Sequence, residues 1–435
     1  MVGVAKPGDK VEVRFEGKTY FGILMPRPDS ADSDRITLKL DSGYDIGLPK
    51  SKIESVKALG GPERVKQAVT SNPPQDKSKP LVAILSTGGT ISSRIDYQTG
   101  GVHASSTADK LLEMMPELSD IANIKVESVL NVMSEDMNPK LWVKIAEAVA
   151  RELNSGASGV VVTHGTDTMH YSSAALSFLL RGLGKPVVLT GAQRSTDRGS
   201  ADSFLNLYSS VTFASSDVAG VYLVMHGSMS DNFCLAHVGT KVRKMHTTRR
   251  DAFLSVNASP AARIHPDGRV DWLTHSLPKR SDSKVTVDSR LDERVALVKV
   301  YPGMDPGVFD YYMGKGVSGV VLEGTALGHV PTNIKETSLL PAIEKMVGSG
   351  ILVAMTTQCL FGRVNPHVYS NLREVSLRGV VYCEDMLPET AYVKLMWALG
   401  KAKGLEGAKS LMLENVTGEI TAGSIASEKV LDLNP

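Results

Sequence analysis

The first seventy residues alternate apolar and polar positions in short stretches separated by turn residues. Val11, Val13 and Phe15 are apolar at every second position, which predicts a strand with one buried face. Stretches 19–24, 35–40 and 44–48 have the same character and predict further strands. Short strands without an early helix predict a small SH3-like β-barrel over residues 1–70, with one short helix at 63–69.

A segment rich in proline, serine and lysine, residues 71–80, predicts a semi-rigid linker. Beyond it, short continuous apolar runs alternate with helical patterns. The runs predict buried strands at 81–85, 124–132, 159–162, 187–189, 221–225, 295–300, 317–322 and 351–354. Helices are predicted at 109–115, 139–153 and 168–181. This alternation predicts an α/β fold with parallel sheets and helices on both faces.

The polar, proline-rich stretch 258–291 divides the α/β region. We therefore expect a large α/β domain at 81–257, a connection at 258–291 and a smaller α/β domain at 292–435. The total of 435 residues is ample for several domains of ordinary size.

Composition and charge narrow the class of protein. The net charge of +1 does not indicate a nucleic-acid or membrane-surface protein. No apolar run is long enough for a transmembrane helix, and the N-terminus lacks the apolar centre of a signal peptide. Three scattered cysteines suit a reducing compartment, so we expect a cytoplasmic protein without membrane contact.

Threonines and glycines directly follow two of the predicted strands. Residues 87–91 read TGGTI, and residues 164–169 read HGTDTM. Either turn alone is compatible with an ordinary helix start, because Thr and Asp are common N-cap residues. Two such turns at the same end of neighbouring parallel strands instead favour a ligand-binding site, because ligands bind beyond the carboxyl ends of parallel strands.

The two turns resemble the two signature motifs of the bacterial-type L-asparaginases and glutaminases. The resemblance covers roughly residues 80–425 and includes SEDM at 134–137, KMH at 244–246 and TQC at 357–359. It implies an asparaginase-like fold of two α/β domains, here preceded by the small barrel. It also implies dimers in which a neighbouring subunit completes each site.

The N-terminal barrel and linker resemble the D-type subunits of archaeal glutamyl-tRNA(Gln) amidotransferases. That resemblance implies a homodimer bound to two copies of a partner, the E-type subunit of the amidotransferase. It implies that glutamine is hydrolysed on this chain and that ammonia passes to the partner. The E-type subunit would bind tRNA(Gln) and use ATP and Mg, whereas this chain has no phosphate-binding loop and needs no cofactor.

The resemblance also implies the catalytic residues. Thr90 matches the nucleophile, and Thr166, Asp167 and Lys244 match a hydrogen-bonded catalytic group. A lysine among buried polar partners can act as a base. Asp167 would orient this lysine and hold the α-ammonium group of the substrate, while Thr166 would position or deprotonate the attacking water. Lys241 is the competing register for the lysine.

Further site residues follow from the same match. Ser134 would bind the substrate α-carboxylate, with Glu135 beside it. Gly89 lies where backbone amides could hold an oxyanion. Tyr97 is either a catalytic residue that activates the nucleophile or an ordinary loop aromatic. His164 and His170 are six residues apart, which is not a metal-ligand spacing, so no metal site is expected.

Two rival functions stay open from the sequence. The chain could be a free-standing cytosolic L-asparaginase with an accessory domain. It could instead be a catalytically inactive scaffold or tRNA-binding subunit. The small barrel favours protein docking over nucleic-acid binding, because alternation assigns several of its aromatic side chains to the core.

Overall fold

The computed structural model describes residues 5–25, 34–40, 45–60, 76–88, 93–95, 102–104, 115–194 and 201–424. The helix predicted at 63–69 lies outside this part of the chain, as does the helix predicted at 109–115 except for its last residue. Three predicted site residues also lie outside it: Gly89, Thr90 and Tyr97. Within the described ranges, no helix has both the length and the apolar character that a membrane crossing requires.

The N-terminal region forms a five-stranded antiparallel sheet in the order β4-β3-β2-β1-β5. Its strands are β1 Lys10–Phe15, β2 Lys18–Leu24, β3 Arg35–Leu40, β4 Asp45–Pro49 and β5 Ile53–Gly60. Glu16 and Gly17 join β1 to β2 with φ angles of 47° and 74°, as a two-residue type I′ hairpin requires. The turn is therefore formed by Glu16 and Gly17, one residue earlier than the sequence pair Gly17–Lys18 suggests. Val11, Val13 and Leu38 form the centre of the small core.

The large α/β lobe is built on an eight-stranded sheet. In spatial order its strands are β18 Val270–Trp272, β17 Ala262–Ile264, β14 Cys234–Val238, β13 Gly220–His226, β12 Pro186–Thr190, β10 Gly159–Thr163, β6 Leu81–Ser86 and β9 Asn123–Ser128. Strands β9, β6, β10, β12 and β13 are parallel, which confirms the predicted core of the fold. Strands β14, β17 and β18 continue the sheet in antiparallel pairing.

Smaller pairs of strands surround this sheet. They are β7 Ser93–Ile95 with β8 Val102–Ala104, β11 Leu180–Arg181 with β19 Thr286–Val287, and β15 Val242–Lys244 with β16 Phe253–Ser255. The helices of the lobe are α1 Leu118–Ile121, α2 Pro139–Asn154, α3 Met169–Leu179 and α4 Ser203–Ala214. The side chain of Asn138 accepts a hydrogen bond from the Leu141 amide and caps α2, whose first residue is a proline.

Two sequence predictions need correction here. The strand predicted at 124–132 ends at Ser128, and a 3-10 turn, Ser134–Asp136, follows instead. The apolar run is misleading because β9 is the half-exposed edge of the sheet, where pairing can stop early. The stretch 258–291 is more than a connection, since β17 and β18 extend the large sheet. Strands of three residues are too short to give a clear period-two pattern.

The smaller lobe contains a four-stranded parallel sheet in the order β20-β21-β22-β23. Its elements are β20 Val295–Lys299, α5 Val308–Gly314, β21 Gly319–Gly324, α6 Leu340–Gly348, β22 Leu352–Thr357, α7 Ser370–Leu377, β23 Val381–Tyr382, α8 Pro388–Lys401 and α9 Gly404–Leu413. Helix α8 packs against α3 of the large lobe, where the rings of Phe178 and Trp397 stack with centroids 5.7 Å apart. One hydrophobic cluster thus spans both lobes.

Of two buried ion pairs, one holds the segment after α9 against α8 and the other joins the two lobes. Lys394 Nζ lies 2.6 Å from Glu419 Oε1, and both side chains are wholly buried. Lys241 Nζ lies 2.7 Å from Asp385 Oδ2, and the Thr421 amide donates to Oδ1 of the same carboxylate over 2.9 Å. Burial acts to raise the pKa of Glu419, but the charge and hydrogen bond of Lys394, together with hydrogen bonds from the Val416 and Thr417 amides, leave that pKa below its ordinary value.

We predict that Lys394→Met lowers the free energy of unfolding by about 3–5 kcal/mol, because it leaves the Glu419 carboxylate buried without its counter-charge. Urea unfolding followed by circular dichroism measures this change. The matched control is Lys409→Met, since Lys409 pairs with the exposed Glu406 and contributes less than about 1 kcal/mol. Equal effects of the two substitutions would contradict the prediction.

Candidate active site

Three parallel strands bring three turns to one edge of the large sheet. Thr163, the last residue of β10, is aligned with Ser86 on β6 and with Thr190 on β12. The turns that follow these residues therefore leave the sheet side by side, at the edge where α/β sheets bind ligands. The expectation that both threonine-bearing motifs reach the same edge is met by this alignment.

The first turn is held between the second motif and the loop that follows β9. Thr87 donates to the Thr163 carbonyl from both its amide, over 3.0 Å, and its hydroxyl, over 2.9 Å. The Val132 amide donates to the Thr87 carbonyl over 3.0 Å. Gly88 has a φ of 103°, and a Cβ at this position would lie 2.6 Å from the Val132 carbonyl oxygen. Only glycine fits there.

His164 stabilises the second turn from inside the protein. Trp142 Nε1 donates to Ser172 Oγ over 2.9 Å, and Ser172 Oγ is 2.9 Å from His164 Nε2. The other ring nitrogen, Nδ1, is 2.6 Å from the Gly165 carbonyl oxygen. Since a carbonyl only accepts, Nδ1 carries the proton and Ser172 donates to Nε2. Burial lowers the pKa of His164 to about 4, so the ring is neutral at pH 7.

Lys244 lies at the end of β15 and reaches both polar residues of the second motif. Its Nζ donates to Thr166 Oγ1 over 2.9 Å and to Asp167 Oδ1 over 2.7 Å. The lysine side chain is only 9% exposed, whereas that of Asp167 is 66% exposed. The competing lysine, Lys241, is directed away and pairs with Asp385. The structure thus brings Lys244 to the candidate site and leaves Lys241 in the core.

Ser134 and Glu135 lie on the 3-10 turn beside the second motif. Thr168 Oγ1 donates to the Ser134 carbonyl over 2.6 Å. The side chain of Ser134 faces Gly165, where a Cβ would lie 2.7 Å from Ser134 Cβ and 2.8 Å from its Oγ. Ser134 is buried, whereas Glu135 is exposed. The turn therefore forms a second wall of the candidate site.

Gln193 is a site neighbour to which the sequence reasoning assigned no role. It lies on the turn after β12, and its Oε1 accepts from Thr166 Oγ1 over 3.5 Å. Its Nε2 is buried and has no hydrogen-bond partner within the described part of the chain. The turn can approach the second motif because residue 191 is glycine. A Cβ at this position would lie 2.5 Å from the His164 carbonyl oxygen. The available signal was a third Thr-Gly sequence directly after a strand.

Among the described residues, no group of three His, Cys, Asp or Glu side chains is placed to hold a metal ion. His170 Nε2 instead lies 3.5 Å from Glu389 Oε1, and Arg243 Nε lies 2.9 Å from the same oxygen. This cluster joins α3 to α8 across the two lobes.

Comparison with protein families and with known relatives identifies the chain. The description "Asparaginase, N-terminal" matches residues 81–277, and "Glutaminase/Asparaginase C-terminal domain" matches residues 294–412. Residues 5–59 match the "GatD N-terminal domain". The D-type subunit of the glutamyl-tRNA(Gln) amidotransferase of Pyrococcus abyssi is 51% identical over 97% of this chain and 94% of the relative. The chain belongs to this family of amidotransferase subunits.

Other members of the family are similar over nearly the whole chain. The D-type subunit of Methanothermobacter thermautotrophicus is 48% identical over 95% of this chain and 93% of the relative. Among solved structures, the thermostable L-asparaginase of Thermococcus kodakarensis superimposes with a TM-score of 0.70 at 33% identity. The match covers 79% of this chain and 100% of the asparaginase, so this chain contains additional sequence beyond the asparaginase fold.

We predict that His164 makes the protein less stable in mild acid. The unfolded chain binds a proton at this ring near pH 6.5, but the folded chain binds it only near pH 4. Protons therefore favour unfolding in this window, and the free energy of unfolding rises with pH. Between pH 7 and pH 5 the expected loss from this ring is about 2 kcal/mol.

Urea titrations at the two pH values, on the wild type and on His164→Gln, measure this contribution. The loss on acidification should be smaller in the variant by about 2 kcal/mol, whatever the other titrating groups contribute. An identical loss in both proteins would mean that the buried ring is not what makes the fold acid-sensitive.

Proposed function

We propose that this chain is the glutaminase subunit of a tRNA-dependent amidotransferase. It hydrolyses glutamine and supplies ammonia to a partner subunit, which converts Glu-tRNA(Gln) to Gln-tRNA(Gln). The observation that carries the proposal is the Lys244 ammonium group, which bridges Thr166 Oγ1 and Asp167 Oδ1 at the edge of the sheet. The names of the relatives support the wider assignment.

The nucleophile is Thr90, two residues after Gly88 in the first turn. A primary amide is a poor electrophile, so its hydrolysis needs a hydroxyl nucleophile, a proton acceptor and donors for the oxyanion. The Thr90 oxygen attacks the side-chain amide carbon of glutamine, and its proton leaves with the nitrogen as ammonia. Backbone amides near Gly89 and Thr166 stabilise the oxyanion.

Water then hydrolyses the glutamyl ester on Thr90 and releases glutamate. The Thr166 hydroxyl positions this water and passes its proton to the departing Thr90 oxygen, while Lys244, on a nearly buried stem, holds the Thr166 hydroxyl and the Asp167 carboxylate in place. Tyr97 either assists the nucleophile in the first step or is an ordinary loop aromatic.

The amino-acid end of glutamine is bound by the 3-10 turn that carries Ser134 and by the exposed carboxylate of Asp167. Asp167 directs one oxygen to Lys244, and its side chain is otherwise open to solvent, so it can accept the substrate α-ammonium group. Ser134 binds the α-carboxylate from the neighbouring turn. Glu135, exposed beside it, bears on the choice between glutamine and the shorter asparagine.

The assembly we propose is a homodimer of this chain with two copies of the E-type partner. The partner holds tRNA(Gln) and uses ATP and Mg to activate the glutamyl group, while this chain uses no cofactor. The complex is cytoplasmic. Co-purification from the native source, followed by a glutaminase assay with charged tRNA, tests both the partner and the activity; isolation of this chain alone would contradict the assembly.

We predict that Thr90→Val lowers glutamine hydrolysis by roughly four orders of magnitude, as loss of a nucleophile does in other hydrolases. Steady-state release of glutamate measures the rate. Thr212→Val is the matched control, because Thr212 bonds only within α4 and should leave the rate unchanged. If Thr90→Val keeps the wild-type rate, Thr166 and not Thr90 is the nucleophile. Added ammonium should restore transamidation by the mutant complex.

Glutamine hydrolysis should depend on the partner. The spacing from Tyr97 to the glycines at 100 and 101 departs from the family pattern, so we expect low turnover until the E-type partner and charged tRNA are present. Turnover of glutamine is compared with and without both, and equal rates would refute this coupling.

The alternative function is a free-standing L-asparaginase, which the similarity to the Thermococcus kodakarensis enzyme favours. Kinetics with asparagine and glutamine decide between the two. Preference for asparagine, together with full activity in the absence of any partner, would support the alternative.

A further inference from the structure

The turn that carries Gln193 is anchored by Asp202, which is wholly buried. The Gln193 amide donates to Asp202 Oδ2 and the Arg194 amide donates to Oδ1, each over 3.0 Å. A single carboxylate thus fixes two successive amides of the turn that contacts Thr166.

Asn206 ties this carboxylate to the other end of the turn. Its Nδ2 donates to the Gly191 carbonyl over 2.9 Å and to Asp202 Oδ2 over 3.0 Å. Both partners only accept, so the amide orientation of Asn206 is determined and its Oδ1 faces the opposite way. Asn206 is wholly buried, so its Oδ1 must find a donor inside the protein.

His226, the last residue of β13, supplies that donor. Its Nδ1 is 2.6 Å from Asn206 Oδ1, and since this oxygen only accepts, Nδ1–H donates. The ring is wholly buried. On its other side, Nε2 is 3.0 Å from Asp231 Oδ1, a contact in which Nε2 donates when the ring carries a proton on both nitrogens. His226 therefore connects the buried pair Asp202 and Asn206, which holds the turn, to the carboxylate of Asp231 at the surface.

Asp231, the outermost residue in this series of hydrogen bonds, is held in place by Arg250. Arg250 Nη1 donates to Asp231 Oδ1 over 2.7 Å, and Nη2 donates to the Met229 carbonyl. The Asp231 side chain is 67% exposed. Partial burial acts to raise the pKa of Asp231, but the hydrogen bond from His226 and the charge of Arg250 outweigh it and lower that pKa. Asp231 therefore stays a carboxylate at neutral pH.

We propose that His226 is a positioning residue for Thr166, and that it acts through the Gly191–Arg194 turn. The inference rests on the proposed function, since it assigns a role to His226 in the same hydrolysis. Loss of the His226 donor leaves Asn206 Oδ1 with only the weak Cys234 thiol donor, 3.5 Å away, and so loosens the hold of the amide on Asp202 and Gly191. The turn then shifts, and a shift of about 1 Å at a reacting group can reduce the rate about a hundredfold.

The test is a series of substitutions at His226, assayed for glutamine hydrolysis in the purified complex. His226→Ala removes the donor and should lower kcat about thirtyfold, while KM changes less than about twofold. His226→Asn places an amide nitrogen near the position of Nδ1 and should keep kcat within about threefold of wild type. His226→Gln reaches toward Asp231 instead and should resemble His226→Ala.

A matched control separates this role from general destabilisation. Tyr222 lies on the same strand β13, toward the end opposite His226; it is buried and donates from its hydroxyl to the Ala219 carbonyl over 2.9 Å. Tyr222→Ala should lower the melting temperature but leave kcat unchanged. An equal fall in kcat for Tyr222→Ala and His226→Ala would overturn the proposal, as would failure of His226→Asn to restore activity.

A surface pair extends the test to variants with no risk of misfolding. Asp231→Ala removes the outer support of the ring and should lower kcat about fivefold, although exposed substitutions are ordinarily silent. Asp271→Ala is its control, because Asp271 is likewise shared by a histidine and an arginine, His265 and Arg269, but on the edge strand β18. Wild-type kcat in Asp231→Ala would refute the role of the surface carboxylate.

The outcome for Thr90→Val distinguishes the two proposals. If Thr90→Val is inactive while His226→Ala keeps the wild-type kcat, the positioning role fails and the proposed function stands. If Thr90→Val retains activity, the proposed mechanism fails first, and the His226 series then tests only the placement of Thr166.

Discussion

The parallel alignment of β6, β10 and β12 is the constraint on which the candidate site depends. Neighbouring strands lie only about 4.8 Å apart, so turns that leave three aligned strands must pass within contact distance of each other. Such crowding is possible only where side chains are absent, which explains Gly88 against Val132 and Gly191 against His164. The glycines of the motifs are thus a consequence of the register as much as of any ligand.

The cation at the centre of the site comes from outside this sheet. Lys244 is delivered by the β15–β16 hairpin, which crosses the edge where the turns emerge. Its stem is buried and its head group is shared between a buried hydroxyl and an exposed carboxylate. One side of the ammonium group is therefore fixed by the protein, while Asp167 leaves the other side accessible to a charged substrate. This asymmetry makes one face of the site rigid and leaves the other face open.

Local pattern was sufficient for some of these features and not for others. The parallel core and both threonine turns could be predicted, because an apolar run ended by glycine and threonine is a short-range signal. Lys241 and Lys244 could not be distinguished by pattern, since both lie in one basic stretch, and only the pairing of Lys244 with Phe253 decides which faces the site. His226 and Gln193 were assigned no role because their partners come from distant parts of the chain.

Polar groups around Thr166 are divided into two kinds, and the division indicates where chemistry takes place. Behind the turns, His164, Asp202 and Asn206 are buried and fully engaged in hydrogen bonds, which makes that side rigid. The Gln193 side chain differs, because its Oε1 accepts from Thr166 Oγ1 over 3.5 Å while its Nε2 is buried with no hydrogen-bond partner among the described residues. A buried donor without a partner costs about 1–3 kcal/mol, so the Gln193 turn is the less satisfied of the two sides.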